Sequence, residues 1–365
     1  MINAYTIMMA VILLLGLLMR GNRAGNWKYV WLSCLLMFCI LGLRDVSTLG
    51  NDSRTSYLWT FHGLANRDLS QMLQEYSFET NSGFFVLMKL IHMLTDGDYQ
   101  LFVIIISAFI MLVFAHFINR YSPDPMQSFC YYWGLLLYLF MFSAQKQALA
   151  MTFVLLAFDA ILKRKLIRYL FFVFLAVQFH YPALVFLPAY WLPLMKPGKH
   201  LLLIYAAAIL LTFVFRDQIL TFMMNGYEDD TGSTYSLGGA TFFRTKSLIM
   251  LIIVLSAVVL RPPSAEDQLY LLLIEFTAIA VLFQTFCAFN NIFERLADYY
   301  FQFSVVLIPM VFDRKEKARG FLSARTDEVV KTVAPFLFSG FGVWRMADMI
   351  LTDAAHFLPF RFYFE

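Results

Sequence analysis

Residues 142–184 read FSAQKQALAMTFVLLAFDAILKRKLIRYLFFVFLAVQFHYPAL. An apolar run breaks at Gln145-Lys146-Gln147, resumes as far as Lys163-Arg164-Lys165, resumes again, and breaks at Gln178, His180 and Pro182. Each apolar run is close to membrane length, if slightly short. A charge at bilayer depth costs about 2.5 to 3.5 kcal/mol on insertion scales, so Lys146 sits at an interface or in a polar cavity. The basic cluster lies at the far end of the helix that Lys146 begins, and the positive-inside rule makes that end cytoplasmic. Lys146, Gln147 and His180 then share the outer side. Two polar breaks facing one compartment point to one site.

The rest of the chain has the same character. Of its 365 residues 60% are hydrophobic and 15% charged, 40 are Phe, and mean hydropathy is +0.66. A soluble domain of this length is excluded, and a polytopic helical membrane protein is expected. The formal net charge of +3 is small. The basic residues sit in short loops, where they report orientation and give no case for nucleic acid. Cys34, Cys39, Cys130 and Cys287 fall inside apolar runs and form no disulfide or zinc pattern. The run 2–19 lacks the basic start and small-residue cleavage site of a signal peptide, and reads as a retained span.

About twelve apolar runs qualify as spans: 2–19, 29–43, 99–118, 127–143, 148–162, 169–181, 182–195, 201–215, 246–260, 268–287, 298–312 and 329–350. They form one all-α transmembrane domain over 1–365. Threaded from an outside N-terminus, the inside loops carry more than half of the 28 Lys and Arg residues, among them Arg20, Arg120, Lys163 to Lys165, Lys196, Arg261 and Arg314 to Arg319. Both termini and two hydrophilic segments, about 44–98 and 216–246, are then extracytoplasmic. Within the first, Gly83 to Leu94 is amphipathic and suits the interface or a re-entrant helix. The second contains Glu228-Asp229-Asp230 and a Gly-rich stretch, and reads as a mobile loop or lid. No internal repeat is present, nor any GxxxxGK[ST], HExxH or GxSxG element, so no cofactor is expected.

The order of short motifs resembles the EpsG family of bacterial exopolysaccharide polymerases, related to the Wzy polymerases of O-antigen and capsule. Arg44, Gly50-Asn51-Asp52, Tyr57 and Phe61 match the family's Arg…Gly-x-Asp…Tyr…Phe loop, and Gly83-Phe84 its Gly-Phe element. Lys146-Gln147-x-x-Ala150 matches Arg-Gln-x-x-Ala, and Phe179-His180 the family's Phe-His. Glu294-Arg295-Leu296 with Tyr299-Tyr300 resembles its Arg-x-x-x-Tyr span, and Leu358-Pro359-Phe360 its closing element. The motifs are individually short; their order and spacing carry the resemblance along nearly the whole chain. Two departures stand out. Lys146 replaces Arg, which removes bidentate recognition and keeps the charge. The acidic residue expected just before Gly-Phe is displaced to Glu79.

The resemblance implies a GT-C-like membrane glycosyltransferase in the bacterial cytoplasmic (inner) membrane, its active site facing the periplasm or exterior. Its donor and acceptor would both be undecaprenyl-diphosphate-linked glycans. An acceptor hydroxyl attacks the donor's anomeric carbon and the lipid diphosphate leaves, which requires a base and cations. His180, Asp52 and Glu79 are the candidate catalytic residues, with Asp298 a further candidate base. Arg44, Lys146, Gln147, Arg295, Tyr57, Tyr300 and Arg244 are the candidate diphosphate- or glycan-binding residues. Implied partners are membrane lipid, a flippase and a chain-length regulator; no metal and no nucleic acid is expected.

Each candidate also has a plain structural reading. Lys146 would snorkel to the headgroups, His180 would cap a helix end, and Arg295 would pair with Asp298 at i+3. Asp159 with Lys163, and Arg345 with Asp348, read as structural pairs. Asp96-Gly97-Asp98 and Glu228 to Asp230 read as exposed acidic turns before they read as metal ligands. The rival functions are a lipid-linked oligosaccharide flippase, disfavoured by the lack of repeated halves, and an O-antigen ligase, which shares the donor and differs in acceptor.

Overall fold

The computed structural model describes residues 3–19, 26–47, 49–50, 52–194, 240–260, 267–287, 292–313, 324–352 and 357–365, and only the backbone of 26, 240–245, 292, 324 and 325. The described residues are all-helical apart from one antiparallel bridge, Arg44 to Phe362. In chain order the helices are α1 (Ala4–Met19), α2 (Asn26–Gly42), α3 (Leu58–Gly63), α4 (Leu69–Gln74), α5 (Ser82–Leu94), α6 (Tyr99–Tyr121), α7 (Pro125–Gly134), α8 (Leu137–Phe140), α9 (Gln145–Leu162) and α10 (Leu166–Phe179). A 3-10 segment (Tyr181–Leu194) follows, then α11 (Ala240–Leu260), α12 (Gln268–Phe286), α13 (Ile292–Phe301), α14 (Ser304–Phe312) and α15 (Ala324–Leu351).

Among the described residues three helices are long and apolar enough to cross a membrane: α6, α9 and α12. Several shorter helices are equally apolar, α1, α2, α5, α10 and the 3-10 segment among them. Two of the expected spans are interrupted. The run 127–143 divides into α7 and α8 at Leu136, whose left-handed backbone (φ +61°) ends helical geometry. The run 298–312 divides into α13 and α14 at Gln302-Phe303. Over 181–194, Pro182, Pro188 and Pro193 each lack the N–H that an α-helical ladder needs, and the backbone is 3-10. The run 201–215 and nearly all of the 216–246 segment lie outside the described residues.

α9 is the central element. Ala148, Ala150, Ala157 and Ala160 are fully buried, and such small residues let neighbouring helices approach closely. α10 packs back along α9 across the turn at Arg164, with Phe153 and Phe179 stacked at 5.3 Å. The Asp159–Lys163 pair forms at 2.8 Å, and Arg120 joins it at 3.2 Å. On the other side of α9, Phe158 meets Phe303 at 4.8 Å, and Phe303 meets Phe276 of α12 at 4.9 Å. The break between α13 and α14 is thus wedged into the aromatic core. At the far edge α7 crosses α15 so closely that a Cβ on Gly134 would stand 2.4 Å from the Gly342 Cα. Arg345 does not follow the expected pairing with Asp348; its Nη1 donates to the Gly134 carbonyl at 2.6 Å across that crossing.

Candidate active site

The segment 44–98 reaches both polar breaks of the 142–184 stretch. At the first, Gly50 (φ +83°) lies where a Cβ would stand 2.4 Å from the Phe142 carbonyl oxygen, and Arg44 Nη2 donates to that same oxygen at 3.1 Å. Arg44 also donates to the Leu41 carbonyl and to Ser53 Oγ, and its guanidinium lies over the Phe142 ring. Gln145 donates to Ser53 at 2.9 Å, with the Tyr99 hydroxyl 3.2 Å from Ser53. Arg44, Gly50 and Ser53 are therefore the clamp that holds the start of α9.

At the second break Asn81, in the left-handed region, accepts the Tyr181 N–H at 2.7 Å. Tyr76 hydrogen-bonds Gln178, and Gly83 lies where a Cβ would stand 2.6 Å from the Gln178 carbonyl oxygen. That approach explains the glycine of the Gly-Phe element. Phe84, fully buried, then contacts Tyr57 at 5.5 Å.

Between the two clamps the polar side chains converge. His180 follows the last residue of α10 and precedes the 3-10 segment, so it belongs to neither apolar helix. It is buried, and its Nδ1 is 2.7 Å from the Tyr299 hydroxyl. Burial, then the charges of Arg295 and Lys146, hold its imidazole well below the ordinary histidine range, so the neutral form prevails at pH 7. Lys146, in the first turn of α9, places Nζ 4.4 Å from the Phe85 ring and 5.8 Å from that of Tyr57. Burial chiefly raises the Tyr57 phenol, with the charge of Asp52 adding to the shift and that of Arg295 opposing it. Gln147 Nε2 donates to the Arg295 carbonyl at 2.8 Å, while its buried Oε1 has no hydrogen-bond partner among the described residues. His180, Lys146, Gln147, Arg295, Tyr57 and Asp52 are thereby gathered into one region from four separate parts of the chain.

Three other sequence candidates lie elsewhere. Arg44 is 1% exposed and committed to protein oxygens, which makes it part of the clamp. Tyr300 turns away: its hydroxyl donates to the Val185 carbonyl at 2.7 Å and its ring packs on Phe186, Phe276 and Phe283. Glu79 is exposed in the turn ahead of α5. The Arg244 side chain is outside the described residues. Asp98 caps α6 by accepting the Leu101 N–H at 3.2 Å, and among the described residues no three His, Cys, Asp or Glu side chains are grouped to hold a metal.

Two residues of note were absent from the sequence candidates. Tyr299 was legible in principle, because it lies four residues after Arg295 and so shares its helix face. Lys246 was not. It stands at the edge of an apolar run with no motif around it, and only the fold shows that its Nζ is 2.7 Å from both Glu294 and Asp298. Asp298, expected as a base or as the partner of Arg295, is held by this lysine.

No curated protein and no solved structure matches the chain. The description that does match is that of the EpsG family, over residues 27–324. The matched range contains both clamps and the whole convergence of polar residues between them, and covers most of the 365 residues. This helical membrane protein therefore belongs to the EpsG family.

Proposed function

We propose that this chain polymerises undecaprenyl-diphosphate-linked oligosaccharide repeat units into O-antigen, capsular or exopolysaccharide on the outer face of the bacterial inner membrane. The observation that carries the reading is the buried His180–Tyr299 pair flanked by the charges of Lys146 and Arg295. Glycosyl transfer from a lipid diphosphate calls for a base and for cations, and this group of residues offers both. The neutral imidazole takes the proton of the acceptor hydroxyl as the hydroxyl oxygen bonds to the anomeric carbon. The two cations meet the negative charge gathering on the diphosphate as the glycosidic bond to it breaks. In the tautomer whose Nδ1–H donates to the Tyr299 oxygen, Nε2 carries the lone pair that accepts the proton. In this reading Asp52 orients Lys146 or Arg295, and Tyr57 and Phe85 offer aromatic faces to a sugar ring. Gln147 Oε1 is an acceptor for a sugar hydroxyl.

In this reading the apolar helices complete about twelve spans of a GT-C-like fold, the basic loops face the cytoplasm, and a flippase supplies the lipid-linked unit from the other leaflet. A chain-length regulator is the expected partner, and the bilayer holds the lipid carrier. The test is the surface glycan of a strain lacking the gene, complemented with either the wild-type chain or His180→Gln. Long chains from the wild type and single units from the variant support polymerisation. Loss of glycan attachment with chain length unchanged would instead mark a ligase.

A further inference from the structure

The Leu358-Pro359-Phe360 element takes no part in the site described above, and it lies beyond the family match, which ends at 324. The segment 357–365 that contains it runs across the first clamp. Its backbone pairs antiparallel with the residues just after α2: the Asp45 N–H donates to the Arg361 carbonyl at 2.9 Å and the Tyr363 N–H to the Leu43 carbonyl at 3.0 Å, with Arg44 opposite Phe362 between them. The backbone of Arg44 is thus fixed on either side, while its Nη2 donates to the Phe142 carbonyl. The same segment closes over the Phe142 side chain. Phe357, only 2% exposed, meets Phe142 edge-on at 5.8 Å and Tyr5 at 6.2 Å. Phe360 meets Tyr5 at 5.3 Å, and Tyr5 in turn lies 5.9 Å from Phe142. Phe142 leads into α9, whose first turn carries Lys146 and Gln147.

We propose that the segment 357–365 is a strap that positions the first turn of α9, with Phe357 as its positioning residue. Pairing with 43–45 sets Arg44, and the Phe357 ring sets Phe142, so one segment holds both ends of the Arg44–Phe142 contact. The strap's part in glycosyl transfer rests on the polymerase reading above; its hold on α9 does not. A general packing role differs, because loss of Phe357 would then loosen the whole fold.

Hydrogen exchange read by mass spectrometry separates the two, since local opening is registered segment by segment. The full-length chain in proteoliposomes is compared with Phe357→Ala, and kcat/KM is measured on purified lipid-linked repeat unit. Phe357→Ala should insert, with exchange at residues 142–149 quickened about tenfold or more and exchange in α12 as in the wild type. Its kcat/KM should fall about tenfold. If Phe357→Ala fails to insert, Phe357→Leu decides alone: it keeps most of the apolar volume, loses the ring contacts, and should give both changes in smaller measure. Exchange at 142–149 no faster than in the wild type, exchange quickened along the whole chain, or quickened local exchange with undiminished kcat/KM would each overturn the proposal while polymerisation by the wild type stands. No product from the wild-type chain removes the polymerase reading and, with it, the strap's part in glycosyl transfer.

Discussion

His180 Nδ1 lies 2.7 Å from the hydroxyl of Tyr299, a contact between residues 119 positions apart that joins the end of α10 to α13. The bond fixes the ring, and the tautomer in which Nδ1–H donates to Tyr299 leaves Nε2 to take a proton. Tyr299→Phe removes the partner and leaves the ring packing of 6.1 Å between centroids in place. We expect correct insertion with kcat down by about tenfold to a hundredfold, and His180→Gln lower still, since proton transfer is worth roughly 10²–10⁴ in rate. Equal loss of protein from the membrane in both variants would indicate a packing role instead.

The pH dependence follows from the same surroundings. Burial, Arg295 and Lys146 depress the His180 pKa, so the base form is populated at pH 7 and activity falls only as pH drops below the ordinary histidine range. Removing a nearby cation raises the pKa. The His180 imidazole, followed by NMR, should therefore take up its proton at higher pH in Lys146→Met than in the wild type; an unmoved titration would separate Lys146 from His180 electrostatically.

Lys146 is further tested by size and charge. Lys146→Arg keeps the cation against Phe85 and Tyr57 and should retain substantial activity, whereas Lys146→Ala should abolish chain extension with insertion intact. Normal glycan length from the alanine variant would reduce Lys146 to a residue that reaches for the headgroups.

Gly83 gives a structural control. Any Cβ there meets the Gln178 carbonyl oxygen at 2.6 Å and the Gln178 Cβ at 2.7 Å. Gly83→Val should force α5 away from the end of α10, cost about 1–3 kcal/mol of stability, and disturb His180 through the Asn81–Tyr181 bond. Thermal unfolding in detergent reads the first effect and glycan length the second; a variant as stable as wild type would show that the two segments separate freely.

Orientation is tested by fusions. A reporter active only outside the cytoplasm should work after Asn225 and fail after Arg164, and the reverse pattern would move the site to the other compartment.

The two polar breaks around α9 and α10 were legible because charges and amides interrupt an otherwise apolar sequence, and the structure gathers residues at both breaks. Helix boundaries were less legible. Leu136 turns left-handed two residues after Gly134 in a long apolar run, and Phe303, just after α13, wedges into Phe158 and Phe276. Hydropathy cannot register either event. The fate of Arg44 was hidden for a different reason: an arginine after an apolar run looks the same whether it meets a phosphate or a carbonyl. The oxygens it meets, those of Leu41, Ser53 and Phe142, are brought together only by the fold. Lys246 was missed similarly, since its partners lie 48 and 52 residues away.

The most direct measurement is polymerisation in proteoliposomes containing only this chain and purified undecaprenyl-diphosphate-linked repeat unit. The wild type should release undecaprenyl diphosphate in step with products of two or more units, and His180→Gln, equally inserted, should leave the unit unextended. Products of equal length from both chains would contradict the assignment of His180, and no extension by the wild type would contradict polymerisation itself.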